Sequence, residues 1–133
     1  MPVESLEHTS DLRLRAWGHS FQGTLLEISN YMLKLVYGSA ISPDSPLNSK
    51  FEYDSDEKCV TRLLNDLLYL SESSGLAIRV RKITVCKNMV EWEGEGERFN
   101  KEKHGGSVLV KAATYDRLKV SRNPPLIEIT LDI

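Results

Sequence analysis

The chain has 133 residues, 41% hydrophobic and 27% charged, which suits one globular domain spanning residues 1–133 whose core needs no disulfide or structural metal. A formal net charge of −2 excludes a protein that coats nucleic acid by charge alone. Two cysteines, Cys59 and Cys86, lie far apart and outside any C-x-x-C pattern, which excludes a disulfide framework and a thiolate zinc site and fits a reducing compartment.

The N-terminal segment is charged and carries no apolar run of signal-peptide length, and no stretch approaches the ~20 apolar residues of a membrane span. The sequence therefore predicts a cytoplasmic protein. Acids outnumber bases over residues 1–75, and the reverse holds over 76–133. Arg79, Arg81, Lys82, Lys111, Lys119 and Arg122 are candidates for a basic patch, although a solvated strand face accounts for them more simply.

Asp11 to Trp17 alternates, with Leu12, Leu14 and Ala16 on one face and Asp11, Arg13, Arg15 and Trp17 on the other, the pattern of a half-buried strand. Gly18 breaks it and Ser20 can cap a helix. Phe21, Leu25, Ile28, Met32, Leu35 and Val36 then recur at helical spacing up to Gly38. Residues 40–47, with two prolines and two serines, read as loop, and 50–54 as a short strand. A second helix opens at Ser55 or Asp56, where acids suit the positive end of the helix dipole. Its stripe is Val60, Leu63, Leu64, Leu67 and Leu68, and Gly75 closes it. Strands are expected over 76–86, 89–97, 107–114, 117–121 and 126–132. The order predicts an α+β fold, a largely antiparallel sheet flanked by two helices.

No phosphate loop, dinucleotide fingerprint, zincin motif or nucleophile elbow is present. Three features carry candidate chemistry. Asp11 opens one strand and Asp132 closes another. With Ile133, whose α-carboxylate adds oxygen if the chain ends there, they form an oxygen-rich set for a hard cation if those strands are neighbours; as strand-end acids they also read simply as solvated. Glu91, Glu93, Glu95 and Glu97 share one strand face, as paired acids do in acid–base or metal sites, but such a row more simply protects an exposed edge strand. Lys103-His104 before Gly105-Gly106, with Lys111 beyond, can contact a phosphate or can shape a loop. His8, near Asp11, is open in the same way between ligand and structural histidine.

Several segments in order resemble the archease family. Glu7-His8-Thr9-Ser10-Asp11 and Ala16-Trp17-Gly18 resemble its N-terminal E-H-T-A-D-x-x-x-x-A-x-G signature. Leu63-Leu64-Asn65-Asp66-Leu67-Leu68-Tyr69-Leu70 is similar to W-L-N-E-L-L-Y-L. Gly96-Glu97-Arg98-Phe99, Lys103-His104 and Val110-Lys111-Ala112-Ala113-Thr114-Tyr115 match the G-E-x-F/L, K-H and V-K-A-I/V-T-Y elements, and the sequence closes on the family's D-I as Asp132-Ile133. Three positions depart: Ser10 for alanine, Arg62 for tryptophan, and Gly105 where proline is common.

The resemblance implies a sheet flanked by two helices and a cofactor protein, not a catalyst. Its partner is an RtcB-type RNA ligase that uses GTP and Mn²⁺, whose guanylylation and multiple turnover it supports in tRNA splicing, with tRNA contacted only indirectly or weakly. It also implies a divalent-metal site, with Ca²⁺ as the expected ion, formed by Asp11, Asp132 and Ile133. Two readings compete: a chaperone-like or adaptor module that binds proteins without ligase dependence, and a small metal-dependent hydrolase built on Glu93 and Glu95.

Overall fold

The structure, a computed structural model, describes residues 3–8, 11–42, 44–106 and 108–133, without the side chains of 6–8. His8, weighed above as a ligand, therefore has its side chain outside the described residues, and Thr9 and Ser10 lie outside them altogether. The elements in order are β1 (Val3–His8), β2 (Asp11–Trp17), α1 (Phe21–Tyr37), β3 (Ser45–Glu52), α2 (Asp56–Ser74), β4 (Leu76–Cys86), β5 (Met89–Arg98), β6 (Ala112–Arg122) and β7 (Pro125–Asp132).

The α+β class and the two helices are as expected, but the strands divide between two sheets. One has the order β1-β2-β7-β6 and the other β3-β5-β4, and the pairings among the described residues are antiparallel. The apolar faces of both meet the helices in one core. Leu12, Leu14, Ile127, Ile129 and Leu131 enter it from the first sheet, and Ile78, Val80, Val90 and Trp92 from the second. α1 packs on β4 and α2 on β6. The helices are tied by the Tyr37 hydroxyl, which donates to Ser71 Oγ at 2.7 Å.

Both helices begin as their sequences predict. Ser20 Oγ accepts from the Gly23 N–H at 2.9 Å, and Ser55 Oγ from the Lys58 N–H at 3.2 Å, each satisfying a first-turn donor that has no partner inside the helix. Gly75, at φ +71°, ends α2 in the left-handed conformation that glycine adopts without steric cost. No described helix is long and apolar enough to cross a membrane.

Polar side chains on the inner helix faces cap the sheet edges. Asn30 on α1 donates to the Val80 carbonyl at 2.8 Å and accepts from the Val80 N–H at 2.9 Å. Asn65 on α2 does the same for Ala113, at 3.0 and 2.8 Å. An asparagine amide has one donor end and one acceptor end, so it substitutes for a neighbouring strand at a single residue and covers an otherwise open edge.

Several sequence expectations are corrected. β1 was not foreseen. β3 starts at Ser45, inside the expected loop of 40–47, and takes in 45–47 from it, because antiparallel pairing with β5 recruits a polar, proline-bearing edge segment. Val108 to Lys111 is not a strand; it crosses the ends of the helices, and the Val108 N–H donates to the Leu35 carbonyl at 3.1 Å. The strands expected over 107–114 and 117–121 are one element, β6, interrupted by a bulge. The glutamate row lies on β5, the central strand of its sheet, so it protects no edge.

Candidate metal centre

The proposed ligands are brought together by strand register. β2 and β7 pair without interruption from Asp11 opposite Asp132 to Trp17 opposite Leu126. Parity along the strands sends Leu12, Leu14 and Ala16 with Leu131, Ile129 and Ile127 into the core, each 0–1% exposed. The same parity puts Asp11, Arg13 and Arg15 with Asp132, Thr130 and Glu128 on the opposite face. Directly opposed residues have Cβ atoms about 4.5–5.5 Å apart, so the Asp11 and Asp132 side chains project from neighbouring positions at one end of the sheet.

The third residue of that row is Ala112 on β6, whose methyl group leaves space beside the acids. Asp132 is exposed, while Asp11 and Ile133 are half-buried. The Asp132 carbonyl accepts from the Lys111 N–H at 2.7 Å, which anchors the strand end. Ile133 follows with its side chain against the core, so its backbone oxygens lie at the same end of the strand.

Among the described residues, neither aspartate carboxylate has an ion-pair partner, and no three His, Cys, Asp or Glu side chains converge on one point. Among the described residues the candidate donors are two carboxylates with backbone oxygen nearby. All-oxygen donors suit a hard cation such as Ca²⁺ and not zinc, which takes nitrogen and sulfur. Ca²⁺ takes about 6–8 oxygens, more than these residues supply by themselves.

The next row of the same face is tied by charge. Arg13 is 7% exposed; its guanidinium donates to Thr130 Oγ1 at 2.9 Å, to the Arg117 carbonyl at 2.6 Å and to Glu128 Oε1 at 3.3 Å. Glu128, also buried, is approached by Arg15 at 3.7 Å and Lys119 at 3.9 Å. Sequence reasoning placed Arg13 correctly on the outer face of β2 but gave no sign that this face is partly covered. The cover is the β6 bulge, whose irregular backbone has no periodic signature.

The Lys103-His104 segment has a structural role. His104 is 2% exposed; Nδ1 accepts from the Asn100 N–H at 2.9 Å, so the ring proton lies on Nε2 and is donated to Glu97 Oε1 at 2.8 Å. Glu97 also takes Lys103 Nζ at 2.7 Å and the Ser42 N–H at 3.1 Å. These bonds, the lysine first, pull its carboxyl down from 4.5 to about 2. Both ring nitrogens of His104 are thus committed inside the protein. The loop then passes so close to the last turn of α1 that a Cβ at Gly106 would overlap the Leu35 and Val36 backbone. Lys111 is exposed.

The glutamate row holds no acid–base pair. Glu91 and Glu93 are exposed, whereas Glu95 is buried against Arg79 at 2.6 Å and Arg81 at 3.4 Å, which hold its carboxyl below the usual range. The basic residues are dispersed as well: Arg79, Arg81 and Lys82 lie on β4, Lys119 and Arg122 on β6, and Arg122 is bound in a bidentate pair to Asp56 at 2.8 Å. Arg62, which departs from the family pattern, packs its guanidinium 4.4 Å from the Phe51 ring centre.

The model of the Archease protein family matches residues 4–133. The chain is 26% identical to Protein archease of Pyrococcus furiosus, over 91% of this chain and 89% of that protein, and 28% identical to Protein archease of Sulfolobus acidocaldarius, over 90% and 88%. A solution structure of a Methanobacterium thermoautotrophicum protein superposes with a TM-score of 0.77 at 17% identity, covering 98% of both chains. A Thermotoga maritima crystal structure, described as an archease and possible chaperone, superposes at 0.61 with 23% identity, over 97% of this chain and 94% of that one. With a family match spanning nearly its whole length, the chain belongs to the archease family.

Proposed function

We propose that this chain is a cytoplasmic accessory protein of an RtcB-type RNA ligase, and that it speeds ligase guanylylation and sustains repeated turnover in tRNA splicing without performing the joining chemistry itself. In this reading Asp11, Asp132 and Ile133 hold a divalent cation, Ca²⁺ by their oxygen chemistry. The observation that carries it is the register of β2 on β7, which sets Asp11 directly opposite Asp132 with Ile133 at the same strand end. Family membership over residues 4–133 supports the choice of partner.

The residues act by position. Asp11 and Asp132 are fixed on a sheet whose other face is core, so their carboxylates are presented outward with little freedom to lose on binding. A bound cation supplies positive charge that an acidic group of a partner can share. GTP and Mn²⁺ belong to the ligase. Cys59 is buried, and burial pushes its thiol up to about 12.

The test is RNA joining by a limiting amount of the cognate ligase with GTP and Mn²⁺, with and without this protein. A rise from about one product per ligase to many supports the reading; no rise with a folded protein and a competent ligase overturns it.

A second reading, chaperone-like protein binding, is favoured by one feature. A groove of about 570 Å³ between the ends of α1 and α2 is lined by Tyr37, Phe99, Val108 and Leu109, with Phe99 46% and Leu109 72% exposed. Suppression of aggregation of unrelated unfolded chains, unaffected by chelators, would support it.

A further inference from the structure

The row next to the acid pair carries a fixed positive charge. On the outer face of the first sheet Arg13 follows Asp11 by two residues on β2, and Thr130 precedes Asp132 by two on β7. Two residues of strand advance about 7 Å, so that is the spacing between this row and the two acids. The Arg13 side chain reaches across β7 toward β6. One guanidinium nitrogen donates to Thr130 Oγ1 at 2.9 Å and to the Asp116 carbonyl at 3.5 Å, the other to the Arg117 carbonyl at 2.6 Å and to Glu128 Oε1 at 3.3 Å. The two carbonyls belong to the β6 bulge, where residues 115–118 span the place of Ile129 alone on β7. Charge-assisted bonds to four acceptors clasp the guanidinium in place, and at 7% exposure little water surrounds it.

The countercharge near Arg13 is incomplete. Glu128 is shared with Arg15 at 3.7 Å and Lys119 at 3.9 Å, and Arg15 also holds Glu4 at 2.9 Å. Three cations thus share two carboxylates. The bulge adds no net charge, because Asp116 and Arg117 pair with each other at 3.4 Å. Glu128 lies four residues from Asp132, one row farther from the acid pair than Arg13. We infer, resting on the cation site of the function proposed above, that Arg13 sets the strength of that site. Its fixed charge holds the affinity of Asp11 and Asp132 for a divalent cation about tenfold below what the pair would have without it. The charge acts twice. It repels the arriving dication, and it lowers the energy of the two opposed carboxylates while no ion is bound, so less is gained on binding. A separation of about 7 Å lies within the Debye length of about 8 Å at physiological salt, and partial burial weakens the screening further.

The test measures Ca²⁺ binding by calorimetry, and melting in chelator, on the full chain and three variants. Arg13→Met removes the charge and keeps the bulk of the side chain; Ca²⁺ should bind about tenfold tighter. Arg13→Lys keeps the charge and loses the fork of donors; Ca²⁺ should bind as in the wild type. Both should melt lower, because the bulge carbonyls lose donors, so the two variants separate the charge of Arg13 from its clasp. Glu128→Gln leaves an oxygen for Arg13 and raises the surplus positive charge from farther away; Ca²⁺ should bind a few-fold more weakly. Wild-type or weaker affinity in Arg13→Met, or equal tightening in Arg13→Met and Arg13→Lys, overturns the inference and leaves the proposed function standing. If Arg13→Met does not fold, Glu128→Gln decides, and unchanged or tighter binding there overturns the inference. Wild-type protein that binds no Ca²⁺ removes the proposed cation site, and this inference with it.

Discussion

Asp11 and Asp132 face each other across β2 and β7. Like charges directly opposed across two strands are destabilising by about 0.2–1 kcal/mol, a cost the sheet carries when no cation is present. Asp132→Asn should therefore raise the melting temperature slightly in chelator, and should also lack the upward shift that the proposed cation site predicts for the wild type in Ca²⁺ by mass action. Thermal unfolding in chelator and in millimolar Ca²⁺ reads both effects. A variant destabilised in chelator would mean that the aspartates are structural.

Glu97 has a different sign. Its carboxyl falls from 4.5 unfolded to about 2 folded, so its contribution to stability is complete above about pH 4.5 and is lost as pH falls toward 2. Glu97→Gln should flatten that stretch of the stability–pH profile in acid unfolding followed by circular dichroism. A profile as steep as wild type between pH 4.5 and 2 would place the acid sensitivity elsewhere. Much at this scale was legible in the sequence: Asp11 and Asp132 were named from strand ends and family motifs. The commitment of His104 was not, because its two partners, Asn100 N–H and Glu97, are set by a loop turn that no periodicity encodes.

The helices and most strands could be read from spacing because each buries one face. Phe21, Leu25, Ile28 and Met32 are all buried as their period requires. The misreadings share a cause. β3 alternates polar and apolar residues only weakly and contains Pro46, so its pairing with β5 is a tertiary fact. The break inside β6 is a bulge whose strand resumes in register with Glu128 after Arg13 has bonded its carbonyls. Asn30 and Asn65 looked like ordinary helix residues, yet each closes a sheet edge with two hydrogen bonds. Asn65→Ala would leave the Ala113 N–H and carbonyl without those partners, at a cost of about 1–3 kcal/mol. Denaturant unfolding should show a lower midpoint for Asn65→Ala and faster hydrogen exchange at the Ala113 amide. An unchanged midpoint would mean that water replaces the side chain at no cost.

At the scale of the molecule, the two sheets and two helices enclose one apolar core and leave the outer face of β2, β7 and β6 polar and uncovered by a helix. On that face the acid pair, the Arg13 clasp and the bulge follow one another within a few residues of register. The α+β class and the two helices follow from the order of periodic segments. The division into two sheets does not, because strand neighbours are chosen by contacts far apart in sequence, such as Asp11 with Asp132.

The most direct measurement is the initial rate of guanylylation of the cognate ligase from labelled GTP, with no accessory protein, with the wild type, and with the Asp11→Ala, Asp132→Ala double variant at equal concentration. The account predicts acceleration by the wild type, and a rate no different from ligase alone with the double variant, whose circular dichroism and melting show it folded. Acceleration by the double variant equal to that by the wild type would contradict the account, because the acid pair would then have no part in the protein's action.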